Sequence, residues 1–142
     1  MVVKRKSFAT LIKLQKNRVD EQRQILSQLQ DLLDQVDARI AELEIIKARE
    51  LDAAQDMSTR ASYGAFLKGA VERGRILEKE RHIAGLAVKS AQDKLIELYE
   101  EQKRYETAEA QRLEEEAQEL RRVERIELDE VGGVMLERQR GD

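Results

Sequence analysis

The side chains here with the most chemical potential are few, and their spacing does not assemble a reaction centre. His82 is the single histidine and lies in Glu78-Lys79-Glu80-Arg81-His82. Glu78 and His82 are four residues apart, so a helix would put them on one face. Two ligands without a third make a poor metal site. His82 therefore reads as a solvated helix residue or, alternatively, as a partner contact. Glu114-Glu115-Glu116 offers carboxylates but no pocket to separate their pKa values, so it reads as a solvated face rather than an acid–base pair. The seven glycines form neither a phosphate loop nor a dinucleotide fingerprint. With no cysteine there is no disulfide framework, thiol nucleophile or Cys-based metal centre. No catalytic residue, cofactor, metal or small-molecule substrate is expected.

Binding features are more informative. Lys4-Arg5-Lys6 has the charge to meet nucleic acid or anionic lipid, but the acidic remainder of the chain opposes polyanion binding. Tyr63 and Phe66 sit in a stretch of weak helix formers. They either pack a turn or, as aromatics on an exposed bend, anchor a partner.

The elements that must carry these groups follow from composition and rhythm. The chain has 142 residues, no proline and 39% charged residues, but only 4% aromatic ones and no tryptophan. Proline is the strongest helix breaker, and its absence suits long uninterrupted helices. A Leu/Ala-rich apolar fraction suits a coiled-coil seam more than a wide core. One apolar rhythm runs through Leu11, Leu14, Ile25, Leu29, Leu32, Val36, Ile40, Leu43 and Ile46. A second runs through Leu77, Ala84, Val88, Ala91, Leu95, Leu98 and Tyr105, then Leu113, Ala117, Leu120 and Val123. Between them, Ser58 to Gly69 interrupts the pattern. The fold expected is all-α, a long antiparallel two-helix coiled-coil hairpin in a single domain. Helix one would span about 7–57 with Ser7 as its N-cap, an irregular bend 58–69, and helix two about 70–131. Gly132-Gly133 would stop helix two and leave a flexible tail, 132–142. No apolar run is long enough to cross a bilayer, and no apolar region follows the N-terminal basic residues as in a secretory signal, so a cytoplasmic protein is expected.

Folding at residue ~63 makes paired positions sum to roughly 124. It would juxtapose Ile25 with Leu98, Leu32 with Ala91, Val36 with Val88, and Ile46 with Leu77. Residues 1–24 carry seven basic and two acidic side chains, while 97–130 carry six basic and thirteen acidic ones. Antiparallel pairing lays these opposite charges side by side, which sets orientation more than stability. The polar stretch around Arg18 and Gln22 would loosen that end. Val123, Ile126, Val131 and Val134 would extend beyond helix one as an uncovered apolar stripe rimmed by charge, the usual mark of an interaction site. A frayed tail is the alternative.

The two ends carry a family resemblance. Phe8-Ala9-Thr10-Leu11-Ile12-Lys13-Leu14-Gln15-Lys16-Asn17-Arg18-Val19-Asp20-Glu21-Gln22-Arg23 resembles the opening of the alphaproteobacterial type of the flagellar export protein FliJ family. Glu127-Leu128-Asp129-Glu130-Val131-Gly132 is similar to that family's closing signature. The resemblance implies a soluble component of the flagellar type III protein export apparatus with no nucleotide site of its own. It further implies an antiparallel coiled coil similar to the stalk of rotary ATPases, at the cytoplasmic face of the inner membrane. The implied partners are the hexameric export ATPase, the membrane export gate and export chaperones. Residue physics alone favours a generic coiled-coil scaffold, homodimeric in one form, just as much. A basic-tailed adaptor for nucleic acid or lipid is the third reading.

Overall fold

The computed structural model describes residues 6–55 and 60–141. They form an all-α hairpin of two long helices packed against each other, α1 (Ala9–Ala53) and α2 (Arg60–Arg140). Two compact units divide the chain, Arg18–Glu97 and Met1–Asn17 with Leu98–Asp142.

In the Arg18–Glu97 unit, the shielded positions of α1, apart from the half-buried Asp37 beside them, are Val19, Gln22, Leu26, Leu29, Leu33, Val36, Ile40, Leu43 and Lys47. Their steps alternate strictly between three and four, so the stripe keeps facing a supercoiled partner without drift. This corrects the sequence reading, which placed Ile25, Leu32 and Ile46 on the seam, where they are in fact exposed. The cause is doubled apolar residues. Ile25-Leu26 and Leu32-Leu33 each offer two phases, and only the strict heptad stays continuous with Val19 and Gln22; at Ile45-Ile46 the seam takes neither residue and passes to Lys47.

The opposite arm, α2, presents Phe66, Ala70, Gly74, Leu77, Ala84, Val88, Ala91 and Leu95. Leu43, Ala70 and Leu77 form the buried cluster, with Ile40 and Phe66 packed against it. Rising numbers on α1 meet falling numbers on α2: Gln22 Nε2 donates to the Ala91 carbonyl at 3.1 Å, and Arg81 Nε meets Asp37 Oδ1 at 3.0 Å. Ala91 thus faces Gln22 rather than Leu32. The Asp37–Arg81 pairing puts the neighbouring Val36 closer to Arg81 than to Val88, and Val36 shares a groove with Glu80, Ile83, Ala84 and Ala87. The chain reverses earlier than its glycines suggest. Ala54 N–H already shares the Glu50 and Leu51 carbonyls, tightening the last turn of α1. Most of the stretch 58–69 is helix, since α2 begins at Arg60. Packing of Phe66 and Ala70 onto Leu43 overrides the weak propensity of Ser62 and Gly64. The expected end of α1 at 57 and the Ser58-Thr59 break lie outside the described residues.

In the other unit, α1 starts one residue later than a Ser7 cap implies. The Phe8 carbonyl accepts the first helical bond from Ile12 N–H at 2.8 Å, and Ser7 Oγ accepts from Ala9 N–H at 3.1 Å. Gln15, only 1% exposed, donates through Nε2 to the Leu98 carbonyl at 2.9 Å. Leu98 thus faces Gln15 rather than Ile25. The polar Gln15 is thus bonded across the pair rather than left to solvent. Leu113 and Leu120, both expected on the stripe, are exposed, and Glu109, Arg112 and Glu116 occupy the sheltered side instead. Gly132-Gly133 does not stop α2 and no tail begins there. Neither glycine has positive φ, and the helix runs to Arg140, where Arg138 and Arg140 complement its C-terminal dipole.

The register is testable with two aspartates. Val36→Asp buries an unpaired carboxylate and should cost about 3 kcal/mol or more in thermal or urea melts. Leu14→Asp, at a residue 46% exposed, should stay within about 0.5 kcal/mol of wild type. Equal losses would refute this phase.

Candidate partner-binding surfaces

Phe66 is half-buried against the Leu43–Ala70–Leu77 cluster, and its ring centroid lies 6.4 Å from that of Tyr63, tilted by 31°. Of the two sequence readings for these aromatics, packing describes Phe66; Tyr63, also half-buried, presents its remaining surface beside it. His82 is exposed on α2. Lys4 and Arg5 lie outside the described residues, and Lys6 is exposed.

The C-terminal candidates are placed differently. Val123 is half-buried, whereas Ile126, Val131 and Val134 are exposed. Every residue from Glu124 to Gly141 is exposed, although the backbone there is helical to Arg140. The start of α1 lies at Glu109, earlier on α2 than the sequence arithmetic suggested. Lys6 and Phe8 sit beside Ala108, Gln111, Arg112 and Glu115. About two dozen residues of α2 follow with aliphatic side chains at Ile126, Leu128, Val131, Val134, Met135 and Leu136 facing solvent. Ile126 and Leu136 stand off the side shared by Val131 and Val134, since 100° per residue spreads them apart. The surface is a broad apolar girdle more than a narrow stripe.

Next to it stands an electrostatic arrangement that the pattern analysis missed. The Phe8 N–H donates to Glu109 Oε2 at 2.7 Å, and Ser7 Oγ donates to Oε1 at 3.3 Å. Arg112 holds the same carboxylate through Nε and Nη2 and reaches Glu116 Oε1 through Nη1 at 2.8 Å. The α1 N-terminus is therefore capped by a carboxylate supplied from α2, which also complements its dipole. Bonding to Arg112, then to the Phe8 amide, holds the Glu109 carboxyl down at about 2. The same partnership raises the Arg112 guanidinium above its ordinary value. The Glu114-Glu115-Glu116 run is not simply solvated: Glu116 serves Arg112, and Glu114 accepts from Gln118 and Arg121. Ser7 followed by a glutamate about 100 residues later leaves no local trace, so only the folded pairing exposes this cap.

Among the described residues no group of three or more His, Asp or Glu is gathered as metal ligands, and no helix is long and apolar enough to cross a membrane. Comparison of the chain with protein-family models, curated proteins and solved structures found no match.

The cap makes a pH prediction. A folded-state pKa below the unfolded value contributes stability above the unfolded pKa, and that contribution is lost as pH falls through the folded one. The Glu109 contribution should therefore be full at neutral pH, shrink below the ordinary 4.5 and vanish near 2. Glu109→Gln should lower the melting temperature at pH 7 and narrow its gap to wild type by pH 2, followed by circular dichroism. A gap that does not change with pH would remove the charge from the explanation.

Proposed function

We propose that the chain is a non-enzymatic stalk or adaptor of the flagellar type III protein export apparatus. It binds the hexameric export ATPase and the membrane export gate, with export chaperones as further partners. It works in the cytoplasm, peripherally at the inner face of the inner membrane. The observation that carries the reading is the C-terminal stretch of α2. Its aliphatic residues from Ile126 onward stand exposed on an unbroken helix. An apolar surface on an ordered helix, edged by Glu124, Arg125, Glu127 and Glu130, is a surface made for another protein. The terminal sequence resemblance supplies the class of partner. The two-helix fold suits a stalk, and the chemistry belongs to the ATPase.

Replacing Val131 and Val134 together by Ser in the full chain should leave the melt within about 0.5 kcal/mol of wild type, because both are exposed. It should weaken association with the cognate export ATPase at least tenfold, about 1.4 kcal/mol. The purified chain should turn over no ATP and should change that ATPase's hexamerisation or turnover. Unchanged ATPase behaviour at saturating chain would defeat the stalk reading.

A further inference from the structure

The Arg18–Glu97 unit has a second apolar face that its own two helices do not cover. On α1 the residue immediately before alternate seam positions recurs every seven residues as Ile25, Leu32, Arg39 and Ile46. The three aliphatics are exposed, Leu32 by 52%. A helix in a two-stranded pair needs only a narrow stripe, whereas a helix in a larger bundle carries a third apolar position beside it. This α1 has the wider stripe. It flanks a groove lined by Leu29, Leu32 and Val36 from α1 and by Ile83, Ala84 and Ala87 from α2. Large residues stand on one wall and mostly small ones on the other. Ile83, 66% exposed, stands at the edge. Arg39 belongs both to this groove and to an adjoining one containing Leu43, Ile46 and Phe66.

We propose that this face binds the same face of a second copy of the chain, making a four-helix bundle from two hairpins. Two observations select a second copy over a foreign helix. The stripe width asks for a bundle of more than two helices, and a second hairpin supplies the two that are missing. The polar groups around the groove also balance: Arg39 and Arg73 stand against Glu42 and Glu80. A twofold interface brings a patch against itself, so it must carry both signs in equal measure, as this one does. A foreign partner would select a patch of one sign opposite to its own. The proposal uses residues distinct from those assigned to the ATPase and does not depend on the export reading.

Sedimentation equilibrium of the full chain, up to about 100 μM, should show mass rising from 16.4 kDa towards twice that value. Ile83→Glu should weaken this self-association at least tenfold. Leu86→Glu, at an aliphatic of comparable exposure (57%) outside the groove lining, should not. Both sites are solvent-facing, and matched circular dichroism melts at low concentration confirm the fold. A wild-type chain that stays monomeric, or a dimer to which the two substitutions are equally harmful or equally harmless, would overturn the assignment.

Discussion

Two buried amides, each bonded across the helix pair, set the register of what is otherwise a thin apolar seam. Gln15 donates to the Leu98 carbonyl and Gln22 to the Ala91 carbonyl. Each sits where a leucine would stabilise the seam more, and Gln15 leaves its own Oε1 without a protein partner. That is a cost of roughly 1–3 kcal/mol in desolvation. Polar groups at such positions are best known for fixing register and orientation at the expense of stability. A carbonyl recurs at every residue of a helix, so the amides alone would tolerate a heptad slip. Within the unit of Met1–Asn17 and Leu98–Asp142 the Glu109 carboxylate on Phe8 N–H opposes that freedom, because a helix has only one N-terminus to cap. Within the Arg18–Glu97 unit, Asp37 with Arg81 adds a half-exposed ion pair in the same register.

The fold class was open to view because it depends on things a sequence states directly. No proline and a 3–4 apolar rhythm leave little besides long helices, and one interruption leaves little besides a hairpin. The phase was harder to read. Wherever two aliphatics adjoin, as at Leu32-Leu33, periodicity accepts either one, and the choice was decided by Gln15 and Gln22, which hydropathy discards as polar. Glycine misled in the same local way. Gly64, Gly132 and Gly133 lower helix propensity by about 1 kcal/mol each, yet all three lie within α2; packing of the nearby Phe66 and Ala70 offsets this at Gly64, while no packing does so at the exposed Gly132 and Gly133. An error of a few residues in the turn doubles when it reaches the pairing, which is why Leu98 meets Gln15 and not Ile25.

The sites divide along the same line. The exposure of Ile126, Val131 and Val134 was legible because few apolar residues of α1 remained to pair with them, whereas Val123 is half-buried. The groove beside Leu32 was hidden because those aliphatics had been assigned to the seam. Once the seam moves by one residue, they become a surplus. A surplus of aliphatic side chains on an ordered helix says more about function than any polar cluster here, since burial against a partner is the one large favourable term left to them.

Glu109 shows why the polar clusters say less. A strongly displaced carboxyl pKa is ordinarily a reason to suspect catalysis, and the physical cause decides whether that suspicion holds. Catalytic carboxyls are usually pushed up, by burial or by a like charge, toward the working pH. Glu109 moves the other way, held down by a guanidinium and a helix N-terminus, so it stays ionised throughout the physiological range and has no proton to give. Glu119 is lowered by Arg122 for the same kind of reason. Charge in this chain fixes which helix positions meet, and the proposed contacts rest on the apolar faces left uncovered.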